Sequence, residues 1–370
     1  MSPANDRFQF WFAGHLVATG RSPYDQSAWV AAHATYGDLA ALVAYNCPDP
    51  QASACLWAYP PWTAWLFAPF GLLDPEPGLA VLRAFLLITA AVAAVMLAGA
   101  LPLTRASQLV VAFVTVIAAP FVWDGLVGHF EPLLLIGTLL LARGLRESRT
   151  APIAAGAVLL SLKPHLFIAL VPLTVALLIR RRSWRTLVVT TLVLLTLVTV
   201  GLWLEPGSLA AFSGSGAKAA LVLPTTWSFA ARVTPGFAAV TTAVLILVSA
   251  AAAWVAVRDA PPRRRDLTFV GAATALSLVL TPYLHLYDDV LLAPVIALII
   301  GCLDPRGRRA RLVGWGAAFG YVVVTWLLFL NGPHGDEPAV AALVPVATLV
   351  GLAIARRAAG PSARRTGSSP

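Results

Sequence analysis

The chain has 370 residues, of which 59 % are hydrophobic and 12 % charged, too apolar for a water-soluble globular protein and in the range of a multi-span membrane protein. Its formal charge is +9, but the basic residues fall in short clusters between apolar runs, which argues for loops on one side of a membrane and against a nucleic-acid surface. Only Lys163 and Lys218 of the 26 basic residues are lysines, so each lysine invites a question.

In chain order, the first feature is the stretch 5–25, NDRFQFWFAGHLVATGRSPYD. Phe8, Phe12 and Leu16 recur every four residues beside Trp11, which predicts a helix with one apolar stripe lying flat at a membrane interface. Gly20 and Ser22-Pro23 are its stop, and Asp6 sits at its start, where the helix dipole favours a carboxylate. Residues 1–56 read as an extracytoplasmic segment without a signal peptide, since Met1 is followed by polar residues. Cys47 and Cys55 share a polar part of it and are compatible with a disulfide or with two free thiols; Cys302 ends an apolar run.

Apolar runs then occupy residues 57–73, 79–101, 109–123, 132–145, 152–179, 187–204, 237–257, 267–281, 290–303, 312–330 and 340–355. The expected fold is all-α, a single polytopic transmembrane bundle over residues 1–358 with the membrane region at 57–358, followed by a disordered cytoplasmic tail at 359–370. Several runs are shorter than the about 20 residues of a straight crossing, which predicts tilted, broken or re-entrant helices around a cavity. Arginine clusters at 143–149, 180–185, 258–265, 306–311 and 356–365 mark the inner side, leaving residues 124–131, the Lys163-Pro164 break, 205–235, 281–289 and 331–338 outside. With Asp6 also outside, the first two runs together cross once, and the proline-rich 57–73 is the segment expected to dip in without spanning.

The outer segments hold most of the histidines and acids. In SLKPHLF, Pro164 breaks an apolar run and leaves Lys163 and His165 at membrane depth, where ionisable groups mark function; the alternatives are a phosphate ligand or a lysine snorkelling at a hairpin tip. In TPYLHLYDD, Pro282 interrupts a run beside Tyr283, His285, Tyr287, Asp288 and Asp289, and His285 is suited to holding a phosphate or passing a proton, unless this is a plain polar loop. GHFEP sets His129 and Glu131 at a helix mouth, too few and scattered for metal ligands and better suited to capping or supporting roles. No Walker loop, dinucleotide fingerprint or nucleophile elbow is present, and neither a metal nor another cofactor is expected.

The order and spacing of Asp6 with GRSPYD, YPPWTAWLFAPFG at 59–71, GHFEPLLLIGTLLLARG at 128–144, LKPHLFIALVPL and TPYLHLYDDVLLAP resemble family 87 glycosyltransferases of the GT-C superfold, which use polyprenyl-phosphate mannose. The resemblance implies Asp6 as catalytic base; Lys163, His165, His285 and Tyr283 around the donor phosphate; and His129, Glu131, Tyr24 and Asp288 in support. It also implies a lipid, glycan or protein acceptor, with membrane lipid around the site. Where the family has Gly-Gln-x-Asn, this chain has Gly128, His129, Phe130 and Glu131. The family also carries a transmembrane helix ahead of the catalytic Asp, so an apolar segment of about 20 residues is expected upstream of Met1. A transporter or flippase of lipid-linked sugars, or a non-catalytic family member, are the alternative readings.

Overall fold

The computed structural model describes residues 5–36, 57, 59–208, 223–331 and 338–359; Cys47, Cys55, Lys218 and all but the first residue of the expected tail lie outside them. The described residues are helical with no strand, as the apolar periodicity predicts. In chain order the helices are α1 (Asn5–Ala18), α2 (Gln26–Tyr36), α3 (Pro61–Gly71), α4 (Pro75–Gly99), α5 (Arg105–Ile117), α6 (Ala119–Val127), α7 (Glu131–Glu147), α8 (Thr150–Leu160), α9 (Leu170–Arg180), α10 (Trp184–Leu204), α11 (Thr226–Val233), α12 (Ala238–Arg258), α13 (Pro262–Leu280), α14 (Ala293–Leu303), α15 (Arg308–Leu330) and α16 (Leu343–Ala358).

Among the described residues, six segments are long and apolar enough to cross a membrane, and the bent pair α5–α6 makes a seventh when counted as one span. They differ in where they sit. The window of α10 is only 6 % buried and that of α15 22 %, so their leucines, valines and aromatics face outward as a lipid-facing shell. The segment Leu286–Arg306, containing α14, is 94 % buried and forms the centre against which α13, α15 and α16 pack.

α1 departs from a helix with one apolar stripe. Phe10 and Ala13 are as buried as Phe8, Phe12 and Leu16, because α3 and α4 pack against it. α1 and α3 meet backbone to backbone: a Cβ on Gly14 would lie 2.3 Å from the Phe67 carbonyl oxygen, and one on Gly71 would lie 2.1 Å from the His15 nitrogen. His15 Nδ1 lies 2.9 Å from the Gly71 carbonyl oxygen at the same crossing. α3 has 11 residues, so it rises only about 16 Å, shorter than the hydrocarbon core of a bilayer.

Three interruptions shape the interior. α5 and α6 bend by 49° at Ala118, the extended N-cap of α6, because Pro120 has no N–H to continue the α5 ladder and is accommodated instead in the first turn of the next helix. Between α8 and α9, Lys163 leaves the helical region (φ −142°, ψ 67°) because Pro164 follows, and a 3₁₀ turn Pro164–Phe167 carries the chain to α9. After α13, Thr281 and His285 are extended, and a 3₁₀ segment Leu286–Leu292 leads into α14. Backbone groups freed at such breaks need partners away from water. Trp62 Nε1 donates to the Ser161 carbonyl at 3.1 Å, Thr63 Oγ1 donates to that of Leu162 at 3.1 Å, and the Ser277 hydroxyl accepts the N–H groups of Ala169 and Leu170, each at 3.0 Å.

Candidate active site

Two of these breaks, with the α6–α7 corner, bring the polar residues of distant segments together. At the centre is Lys163, 1 % exposed, whose Nζ donates to Glu131 Oε1 at 2.7 Å and to Asp288 Oδ1 at 2.6 Å; both acids are fully buried. An unpaired buried lysine is very costly, so the ion pairs explain how it is tolerated at this depth. Lys163 therefore does not snorkel. Its ammonium also lies 4.9 Å from the centre of the Tyr287 ring, a cation–π contact.

Glu131 is the first residue of α7, following the left-handed Gly128 (φ 89°) and the turn through Phe130. Its second oxygen is 3.4 Å from His129 Nδ1, so this corner supports the lysine. The His129 ring packs on Tyr287 with centroids 4.1 Å apart and against the edge of Phe10 at 5.4 Å.

His285 and Asp288 cap each other. Asp288 Oδ2 accepts the His285 backbone N–H at 2.7 Å, and the Asp288 backbone N–H is shared between the His285 carbonyl, at 3.0 Å, and the His285 ring. A ring nitrogen that accepts carries no proton, which leaves the ring N–H on the other nitrogen. Nε2 lies 3.3 Å from the Tyr283 hydroxyl, and the ring stacks on Tyr287 at 4.8 Å. Tyr283 stands between two imidazoles, with the half-buried His165 ring edge-on at 5.3 Å. His165 Nε2 is buried and has no hydrogen-bond partner.

One ammonium facing two carboxylates is not by itself an anion site, since the acids consume its charge. The donors suited to a phosphate are the imidazoles and the Tyr283 hydroxyl along the rim of the cluster.

α1 delivers its first turn to the same corner. The Arg7 stem lies against Gly128, and Phe10 stacks on Phe67 and packs at an angle against Tyr59 and Phe130. Asp6 is in that turn, immediately before Arg7. Tyr24 is tied in further out: its hydroxyl donates to the Tyr59 carbonyl at 2.6 Å, while Ser22 donates to Glu205 at 2.6 Å. Burial, with the Glu205 carboxylate nearby, holds the Tyr24 phenol above its ordinary pKa, so it acts as a donor.

The structure thus joins Lys163, Glu131, Asp288, His129, His285, Tyr283 and His165 in one contact network. Sequence reasoning missed that the lysine pairs with Glu131 and Asp288, and that Tyr287 is the ring shared by Lys163, His129 and His285. The first was legible only in part: a lysine at membrane depth needs a carboxylate, but the outer segments hold most of the acids and nothing marks which of them it meets. The role of Tyr287 left no signal beyond its place in an aromatic run.

A helical bundle with lipid-facing outer spans and a polar cluster built where helices break is a multi-pass membrane protein with a buried site. Residues 57–282, more than half of the chain, match glycosyltransferase family 87, and the chain belongs to that family. Glycosyl transfer is accordingly its activity. The match covers the lysine break and the Glu131 corner, whereas Asp6, Tyr283, His285 and Asp288 lie outside it. No curated protein and no solved structure matches the chain.

Proposed function

We propose that this protein transfers mannose from a polyprenyl-phosphate donor to a lipid, glycan or protein acceptor at the extracytoplasmic face. The acceptor hydroxyl attacks the anomeric carbon as Asp6 takes its proton. The bond from that carbon to the phosphate oxygen breaks, and polyprenyl phosphate leaves. His285, Tyr283 and His165 meet the phosphate, with the Lys163 cluster behind them. The reaction needs one carboxylate as base and donors where negative charge grows on the leaving group, in a site that water does not flood. The observation that carries the reading is the meeting of two imidazoles and a phenol at helix breaks beside a buried lysine, in a chain of family 87.

The test is a membrane assay with radiolabelled polyprenyl-phosphate mannose. Asp6→Asn keeps the shape but cannot take a proton, so transfer should fall by about 100- to 10,000-fold while donor binding stays near wild type. Full activity in Asp6→Asn would remove the mechanism.

A further inference from the structure

We propose that Lys163 is a positioning residue: acting through Asp288, it holds His285 as a hydrogen-bond donor aimed at the departing phosphate. The inference rests on the donor-phosphate reading above and assigns Lys163 a different part in it.

Lys163 has at most one N–H to spare, and it is enclosed with the rest of the ammonium. Two of its three N–H groups are used by Glu131 and Asp288, and the face of Tyr287 covers the ammonium from another side. At 1 % exposure, it could reach a phosphate only by breaking a buried ion pair, which would leave a carboxylate unpaired. Asp288, by contrast, faces two ways. Oδ1 holds the lysine, and Oδ2 holds the His285 N–H at 2.7 Å. The backbone N–H of Asp288 then occupies one nitrogen of the His285 ring, which leaves the proton on the other. The ring orientation and tautomer that a phosphate ligand needs are therefore both set by where Asp288 stands. Asp288 stands there because a fixed cation is 2.6 Å away.

That cation is itself held from several directions. Trp62 and Thr63 of α3 bind the carbonyls just ahead of it, and Glu131 at the start of α7 binds its ammonium. Tyr287 adds a second path, since its ring carries the Lys163 contact and the His285 stack. Removing the ammonium leaves two buried carboxylates facing an empty place. Asp288 must then take a proton or turn, and either change releases the His285 cap.

The experiment is a double-mutant cycle on kcat/KM in purified full-length protein, using radiolabelled polyprenyl-phosphate mannose. Lys163→Met should cost about 100-fold in the wild-type background, the scale of a misplaced catalytic contact. In the His285→Ala background it should cost less than about twofold, because the contact it positions is already gone. A merely structural lysine would cost the same factor in both backgrounds, and that result overturns the proposal. Should Lys163→Met not be recovered as monodisperse protein, Lys163→Arg, which keeps the charge but moves the donors, is read against the same criterion.

A second readout needs no turnover. Carbethoxylation of His285 by diethyl pyrocarbonate, followed by peptide mass spectrometry, should be several-fold faster in the Lys163 variants than in wild type, because the ring nitrogen leaves its cap. An unchanged rate overturns the proposal. If His285→Ala leaves transfer intact, the donor-phosphate reading fails, while the modification rate still judges whether Lys163 positions His285.

Discussion

Thr63 and Leu162 are joined by a hydrogen bond of 3.1 Å, from the threonine hydroxyl to the carbonyl oxygen just before Lys163. It ties α3, which packs on the α1 helix carrying Asp6, to the break that carries the buried lysine. Thr63→Val keeps the volume and removes the donor, so it leaves a buried carbonyl with nothing to accept. The expected loss is about 1–3 kcal/mol, seen as a lower thermal midpoint of the detergent-solubilised protein. An unchanged midpoint would mean that Leu162 finds another donor.

Gly128 is left-handed (φ 89°), and a Cβ there would come within 1.7 Å of Arg7 Cγ. Gly128→Ala should lower stability for both reasons and disturb the turn of α1 that contains Asp6. Arg7→Ala added to Gly128→Ala should recover the steric part and leave the backbone cost of about 1–2 kcal/mol. Thermal midpoints of the two single variants and the double separate the contributions. Full recovery in the double would rule out the backbone cost.

Asp25 starts α2, its Oδ1 accepting from the Ser27 N–H at 3.0 Å, the Ser27 hydroxyl at 2.6 Å and the Ala28 N–H at 3.3 Å. The Ser27 hydroxyl, above all, and then Arg21 hold this carboxyl below its ordinary pKa. The stability it adds is present above the unfolded value of about 3.9 and is lost as pH falls through the lower folded value. Asp25→Ala should therefore cost about 1 kcal/mol at neutral pH, the scale of a helix cap, and nearly nothing at the acid end. Unfolding midpoints of the two proteins from pH 7 down to about pH 2, below the depressed folded value, would show the gap closing under about pH 4; a constant gap would disprove the linkage.

The arginine clusters predict sidedness. In a background with Cys47, Cys55 and Cys302 replaced by serine, a membrane-impermeant maleimide applied to intact cells should modify Gly216→Cys. It should spare Gly307→Cys until the membrane is opened. The reverse pattern would invert the topology and place the Lys163 break on the cytoplasmic side.

The sequence alone determined that the chain is a helical bundle in a membrane, and it marked the breaks at Pro164 and Pro282 with the candidate residues beside them. Apolar run length and the local effect of Pro164 and Pro282 are one-dimensional properties, since proline acts on its own residue and the one before it, whereas the bend at Ala118 falls inside the run 109–123 that reads as continuous. Lys163, His165, Tyr283 and His285 stood out for the same local reason, as polar groups beside a proline in an apolar run. Pairing was not legible. Glu131 and Asp288 are 32 and 125 positions from Lys163, and nothing local to any of the three says which acid reaches the lysine. α1 shows the same limit: its sequence carries one obvious stripe, but Phe10 and Ala13 are buried as well, because the glycines of α1 and α3 let the two backbones touch. Only the tertiary structure decides such matters, because they depend on which surfaces meet in space and on where a buried charge finds its counter-charge.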